Sequence, residues 1–191
     1  MKKNISTLII LFFALSVSAQ DVIWKMTYDV AFPFSSTKEF TDQVSWRGAA
    51  LDVDRFVTDN MAVGLGMSWS TFVEKESDSD FNTHYLLIHG TQVRYINTVP
   101  LLARFSYYAP LDVMDVYGTL GIGTTWQEIR REIGTFSFAN SYWQFALSPE
   151  VGVLFPVGNS FMTAKLRYVH SFKTSEAPDL SYLGIGLGFA W

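Results

Sequence analysis

The sequence contains no cysteine, which excludes both disulfide bonds and a lipid-modified N-terminal cysteine. Charged residues are scarce as well, at 17% of the chain against a usual share of about 25%. After the N-terminal segment, no apolar run approaches the ~20 residues that a membrane-spanning helix needs. An exported protein of this kind that enters a membrane must do so as a β-barrel, because only closed barrels and helices satisfy their backbone hydrogen bonds in lipid.

The N-terminal segment has the layout of a secretory signal peptide. Residues 1–19 place two lysines before an apolar run that is shorter than a spanning anchor, and they end in small residues. We therefore expect cleavage after Ala19 and a single domain over residues 20–191. Removing Lys2 and Lys3 from the 14 basic residues leaves 12 against 18 acidic ones, a net charge of −6. This mild acidity argues against nucleic acid as a partner.

The remaining chain divides into eight segments in which large apolar residues alternate with small or polar ones. Strict alternation over such lengths predicts β-strands with two different faces. Pro100 and Pro149 fall inside two of the segments, where each predicts a bulge or bend because proline cannot donate a ladder hydrogen bond. The predicted strands cover residues 24–32, 44–57, 61–70, 92–108, 114–129, 143–153, 160–172 and 183–191.

Short and long connections alternate along the predicted strands. The short connections, 58–60, 109–113 and 156–159, carry turn-forming residues. The long polar connections are 35–43, 74–91, 130–141 and 173–179. This alternation is typical of membrane barrels, which have short turns at one end and long loops at the other. The sequence therefore predicts an all-β, eight-stranded antiparallel up-and-down transmembrane β-barrel after a cleaved signal peptide.

The two faces of the predicted strands differ in chemistry. One is continuously aliphatic and aromatic, as a lipid-facing surface must be. The other carries glycine, alanine, serine and long charged side chains, which suits the narrow interior of an eight-stranded barrel. The alternative is the solvated face of a soluble, lipocalin-like barrel. The predicted charge network of the lumen comprises Lys25, Asp29, Asp52, Asp54, Arg94, Arg104, Glu150, Lys165 and Arg167.

Hairpin geometry predicts partners within this network. A turn over residues 156–159 places Glu150 opposite or close to Lys165, with Arg167 one step further along. Lys25 can reach Asp52 or Asp54 on the neighbouring strand. Buried charges must be paired, so we expect a plug of salt bridges.

Aromatic residues concentrate near the predicted strand ends, as in the aromatic girdles that flank the apolar band of membrane barrels. The residues that we assign to these girdles are Trp24, Trp69, Phe72, Tyr107, Trp126, Trp143, Phe155, Phe189 and Trp191.

The segments 46–72, 117–126, 148–161 and 182–191 resemble the small eight-stranded outer membrane barrels of Gram-negative bacteria, the OmpA/OmpX-like group. The resemblance covers nearly all of residues 20–191. It implies the outer membrane as location, with outer membrane lipid and the barrel assembly machinery as partners. It also implies that Trp191, an aromatic residue ending an alternating strand, acts as the assembly signal. Members of the group include structural proteins, adhesion proteins, narrow channels and a few lipid-modifying enzymes.

Catalytic and metal sites are not expected. The stretch 168–179 resembles part of a lipid A deacylase site, but Ser171 points to the opposite face from His170, so the histidine cannot activate it. The acidic segment 74–84 is interpreted as a solvated loop, with a calcium site as the alternative. No constellation for a cofactor is present, so we predict a protein that is not an enzyme.

The sequence thus predicts a structural or surface-interaction role for a barrel whose lumen is plugged by salt bridges. The alternative is a narrow channel, or a barrel that binds or transports a small hydrophobic molecule. The partner of the outer loops stays unknown.

Overall fold

The computed structural model describes residues 22–83, 86–133, 136–175 and 177–191. Eight strands form one closed antiparallel barrel in chain order, and β1 pairs with β8 to close it. The prediction of an eight-stranded up-and-down barrel is confirmed; the predicted signal peptide lies outside the described residues. The strands are β1 (Val22–Phe34), β2 (Gly48–Phe56), β3 (Met61–Thr83), β4 (Leu86–Pro110), β5 (Asp115–Ile133), β6 (Phe136–Val157), β7 (Ser160–Ser171) and β8 (Leu180–Ala190).

Three tight turns join strands at one end of the barrel, which we call the turn end. They span residues 57–60, 111–114 and 158–159. In the last of these, Gly158 has φ +62°, a conformation that glycine adopts without strain and that permits a two-residue hairpin turn. The turn is two residues shorter than the predicted 156–159, which moves the register of the β6–β7 pair. Glu150 therefore lies opposite Arg167, and Lys165 lies opposite Gly152.

At the other end, the loop end, two hairpins extend further than the alternation predicts. Strands β3 and β4 continue through the predicted loop 74–91, with one register shift between Glu76 and Ser79. Strands β5 and β6 likewise continue through most of the predicted loop 130–141. Cross-strand hydrogen bonding maintains these segments as strands, including the charged segment 74–80 of β3. Residue 84 and the side chains of residues 75–83 lie outside the described set.

The predicted loop 35–43 contains a short helix, α1 (Ser35–Phe40), which packs against β8 and β1. Strand β2 begins at Gly48 rather than at residue 44, because only an isolated bridge joins Ser45 to Ala31 before the regular ladder starts. Within the described ranges, no helix is long and apolar enough to cross a membrane.

Both prolines lie in regular strands, so the predicted bulges are wrong. Pro100 pairs with Thr125, and Pro149 pairs with Leu120, in ladders whose register does not change. Next to Pro100 the pairing with β3 is interrupted, and next to Pro149 the pairing with β7 is interrupted. In both ladders the register is the same before and after the interruption. The missing N–H groups thus cost local pairs without bending the strand out of register.

The outer face of the barrel is apolar and exposed. Met26 is 58% exposed, Leu65 is 62% exposed and Leu187 is 63% exposed, although such side chains are usually buried in soluble domains. On β5 the uncharged outward positions run from residue 116 to residue 126. At ~3.3 Å per residue and a strand tilt of ~40°, they form a band about 25 Å tall, the height expected of a lipid-facing surface.

Tryptophans mark the loop-end border of this band. Trp69, Trp126 and Trp143 lie in one outward row across β3 to β6, because Val99 pairs with Trp126 and Trp126 pairs with Trp143. The outward row immediately above is polar, and the other predicted girdle residues lie outward near the turn end. Phe72 is the exception, since its ring is fully buried in the lumen. It follows Trp69 by an odd number of residues and so faces the other side of the strand.

Candidate functional site

The barrel interior holds a compact set of buried charged side chains. Eight of the nine predicted lumen residues are at most 5% exposed. Four are cationic and four anionic, so their charges balance. The cations are Lys25, Arg104, Lys165 and Arg167, and the anions are Asp29, Asp52, Asp54 and Glu150. The ninth residue, Arg94, is only partly buried and lies farther toward the loop end, opposite Glu74 in the ladder.

Asp52 lies at the centre of this set. Its carboxylate is 2.7 Å from Lys165 Nζ, 2.6 Å from Arg167 Nη2 and 3.1 Å from Arg104 Nη1. These cations come from strands β4 and β7, whereas Asp52 comes from β2, so the ion pairs cross the lumen. The three strands are thereby joined by contacts that no backbone ladder supplies.

Glu150 forms the second anionic centre. Arg104 Nη2 donates to Glu150 Oε1 at 3.0 Å, and Arg167 Nε donates to Oε2 at 2.5 Å. Lys165, the partner that the predicted turn favours, is more distant at 3.9 Å. Arg104 also reaches Asp54 Oδ1 at 3.2 Å, so this one guanidinium links three carboxylates.

Lys25 occupies the turn-end side of the network. Its ammonium donates to Asp54 at 2.7 Å and to the Tyr108 hydroxyl at 2.8 Å. It also lies 4.2 Å from the centre of the Tyr117 ring, within the range of a cation–π contact. Asp52, directly opposite Lys25 in the β1–β2 ladder, is not its ion-pair partner.

Sequence reasoning missed the two tyrosines of this cluster. The Tyr108 hydroxyl donates to Asp54 at 2.7 Å, and its ring stacks on Tyr117 at 5.3 Å between centroids. The available signal was face parity, since Tyr108 shares its face of β4 with Arg104.

The side chains of Asp29 and Lys165 occupy the space next to Gly186, where a larger residue would place its side chain. Asp29 accepts a hydrogen bond from Thr27. A Cβ atom added to Gly186 would lie 2.5 Å from Asp29 Oδ1 and 2.8 Å from Lys165 Cε. The glycines on the inward face thus provide the volume into which the long charged side chains fold.

Apolar clusters lie inside the barrel on both sides of the charges. The turn-end cluster comprises Ile23, Ala62, Tyr108, Tyr117, Leu154 and Ala190. The loop-end cluster comprises Ala31, Phe72, Ile96, Val169, Leu180 and Tyr182. Each lies between the charged residues and one mouth of the barrel.

His170 and Ser171 face opposite sides of β7, as the sequence indicates. Ser171 is buried in the lumen and donates to Thr125. The Nδ1 atom of His170 is instead 2.7 Å from the hydroxyl of Ser181. Ser181 is 1% exposed, and its backbone N–H donates to Thr37 of α1. The Ser181–Thr37 hydrogen bond thus fixes the first loop-end connection to β8, whereas the His170–Ser181 contact joins β7 to β8.

Above the tryptophan row, strands β3 to β6 form a four-stranded sheet that protrudes from the loop end. Strand β2 leaves β3 at Ser70, and β7 leaves β6 at Ala146, whereas the pairing among β3 to β6 continues. An outward polar row runs along its base. Thr71 donates to Asn97, and Asn97 and Arg130 donate to Glu128.

The protruding sheet has two free edges among the described residues. The edge formed by β3 carries five charged residues over positions 71–83. The edge formed by β6, with sequence FSFANSYWQF over positions 136–145, has no charged residue and five aromatic ones. Charged side chains are a common protection of edge strands against pairing with other chains. Only the β3 edge has this protection.

No protein-family model matches the chain, and no curated protein matches it either. Several solved structures do match the chain. Neisserial surface protein A is 10% identical with a TM-score of 0.56, over 88% of this chain and 94% of that one. Ail, the attachment invasion locus protein of Yersinia pestis, is 12% identical with a TM-score of 0.47, over 90% and 97%. The N-terminal β-barrel domain of Pseudomonas aeruginosa OprF is 14% identical with a TM-score of 0.46, over 90% and 98%.

The likeness to Neisserial surface protein A is one of fold, because the identity is only 10%. The chain has the fold of the small eight-stranded outer membrane barrels. The resemblance drawn from the sequence is thereby confirmed at the level of architecture.

Proposed function

We propose that this protein is an integral barrel of the Gram-negative outer membrane with a closed lumen, and that its activity lies at its outer surface. The lumen network carries the first part of this proposal: eight buried charges balance within the barrel, and an apolar cluster lies on either side of them. A conducting path would have to break several buried ion pairs, which is strongly unfavourable. The exposed apolar band supports membrane insertion, because a surface of this size is not stable in water.

The proposal predicts the behaviour of the purified protein. We expect it in the outer membrane fraction, migrating faster on a gel when it is not boiled, and silent in planar lipid bilayers under an applied voltage. The physical reasons are the apolar band and the neutral, salt-bridged plug. The corresponding control is the same protein refolded after boiling.

Recovery from the soluble periplasmic fraction without a heat-dependent gel shift would contradict the membrane location. Steady single-channel openings from a preparation free of other porins would instead favour the narrow-channel alternative.

The β6 edge supports a surface-interaction role. Phe172 N donates to Phe145 O, so the backbone polar groups of Phe145 point away from β5. Because this direction alternates along a strand, the N–H and C=O groups of Ala139, Ser141 and Trp143 also point to the free edge. They can accept an added strand from an extended peptide, with uncharged side chains on both sides of it.

Membrane geometry indicates where that added strand comes from. Antiparallel pairing of two β6 edges requires a two-fold axis perpendicular to the strands. Two copies in one membrane share their orientation, so their two-fold axis runs along the membrane normal. Such an axis is not perpendicular to the strands, so two copies in one membrane cannot pair their β6 edges in antiparallel fashion. We therefore assign the edge to an extended segment of another protein outside the membrane.

We predict that Ser141→Pro weakens such binding about fivefold, because it removes one edge-facing donor and a hydrogen bond contributes about 1 kcal/mol. The probe is a fluorescein-labelled octapeptide of alternating threonine and valine, titrated with the barrel in lipid nanodiscs and followed by anisotropy. Ser141→Ala keeps the backbone donor and should bind like the wild type.

Val73→Pro is the matched control on the opposite edge. Thr71 N donates to Arg47 O, so the N–H of Val73 also points away from the sheet. If both proline variants lower the affinity equally, or neither does, the assignment to the β6 edge is wrong.

A further inference from the structure

The turn-end mouth of the barrel opens into a small cup that the proposed function does not use. The cup has a volume of about 300 Å³ and lies against the turn-end apolar cluster. Its floor and walls include Ile23, Phe56, Tyr108, Leu154 and Phe161. A volume of this size is at the lower limit of small-molecule sites, so it suits a chain of about six carbons.

Two carboxylates lie at the rim of the cup. Asp59 belongs to the turn between β2 and β3, and Asp115 begins β5. Neither has an ion-pair partner within the part of the chain that the structure describes. Of the described residues that line the cup, none is basic. Arg55 is near by in the β1–β2 ladder, but it lies opposite Val22 on the outward face.

This arrangement has a defined electrostatic character. Two carboxylates that have no ion-pair partner among the described residues lie beside an apolar concavity, where a low-dielectric wall strengthens their field. An anionic ligand would be repelled, and a neutral apolar ligand would leave the carboxylates unused. A ligand that places an alkyl chain on the floor and a cation at the rim would satisfy both parts of the site.

We propose that the cup binds a primary alkylammonium group, either as a free amphipathic amine or as the lysine side chain of a neighbouring periplasmic protein. The alkyl stem lies on the rings of Phe56 and Phe161, and the ammonium lies between Asp59 and Asp115. The site is at the opposite end of the barrel from the β6 edge, so the two proposals are independent.

The test uses the full barrel in phosphatidylcholine nanodiscs with ¹³C-labelled isoleucine and leucine methyl groups. Shifts of Ile23 and Leu154 are followed during titration with n-hexylammonium, hexanol and hexanoate. We expect hexylammonium to bind about tenfold more tightly than hexanol, since each carboxylate at the solvent-accessible rim contributes about threefold. Hexanoate should bind most weakly, and salt should reduce the affinity for hexylammonium.

The double variant Asp59→Asn/Asp115→Asn should bind hexylammonium no better than hexanol. Asp112→Asn is the matched control, because Asp112 lies in the neighbouring turn and does not line the cup. A heat-dependent gel shift verifies that each variant is folded. The proposal is overturned if the three probes bind alike, or if the double variant binds hexylammonium like the wild type.

A second titration with Nα-acetyl-lysine amide distinguishes the two sources of the cation. Binding of both cations supports a lysine side chain, and binding of hexylammonium alone supports a free amine.

Discussion

Replacing Asp52 by Asn is expected to lower the free energy of unfolding by about 3–5 kcal/mol, the cost of removing one partner from a buried ion pair. Asp52 is fully buried and contacts Lys165, Arg167 and Arg104. The amide nearly preserves the shape of the side chain, so the lowered free energy of unfolding is due to the missing charge rather than to altered packing. Urea unfolding of the barrel in lipid vesicles, followed by tryptophan fluorescence, measures it.

Glu128→Gln is the matched control for this substitution. Glu128 also binds an arginine, Arg130, at 2.9 Å, but this pair is on the outside and partly exposed. Its loss should cost less than about 1 kcal/mol. Equal unfolding midpoints for the two variants would show that the interior network does not stabilise the barrel.

A double variant tests the mechanism of the expected loss. Without the Asp52 charge, the single ion pair left to the Lys165 ammonium among the described residues is the one with Glu150 at 3.9 Å. Replacing Lys165 by Met removes that poorly paired cation. Asp52→Asn/Lys165→Met should therefore be more stable than Asp52→Asn alone, as expected for residues that contact each other. If the double variant instead loses as much unfolding free energy as the two single variants together, Asp52 and Lys165 are not directly coupled.

Replacing Gly66 by Ala is expected to cost about 1–3 kcal/mol, the usual effect of adding volume to a packed interior. The new Cβ would lie 2.5 Å from Asp52 Oδ1 and 2.7 Å from Arg104 Cδ. Both neighbours are held by ion pairs, so neither moves without weakening the network. The unfolding midpoint in urea measures the loss.

Gly118→Ala is the control for this prediction. Gly118 lies in β5 on the outward face, and an added Cβ meets no heavy atom within 4 Å. There, alanine should leave the stability unchanged or raise it by about 0.5 kcal/mol by restricting the unfolded chain. A Gly66→Ala barrel as stable as Gly118→Ala would mean that the inward glycines are not needed for space.

The alternation of residues predicts much of the fold because strand pairing and side-chain direction follow from local patterns. The lumen position of Glu150 and Arg104 follows from counting by two along β6 and β4. The turns at 57–60 and 111–114 lie close to where turn-forming residues predict them. Extension of β3 into a predicted loop does not follow, because its segment 74–80 is charged like a loop. The extension of β6 over residues 136–141 carries no charge, and it is a strand because it pairs with β5.

One turn shows why the partners within the network were harder to predict. The sequence around Gly158 allows turns of different length, and each length sets a different register. The left-handed conformation of Gly158 selects the two-residue turn, which exchanges Lys165 for Arg167 opposite Glu150. A shift of two residues keeps every side chain on its face, so face parity cannot detect it.

The sequence by itself determined the eight strands, the lipid-like outer face and the identity of the charged residues that face the lumen. Each of these depends on a period of two, which is a local property of the chain. Only the tertiary structure decided which charges meet, that Tyr108 and Tyr117 complete the network, and that a cup remains at the turn end. Those contacts join residues such as Asp52 and Lys165, which are 113 positions apart, and closure of the barrel brings them within reach.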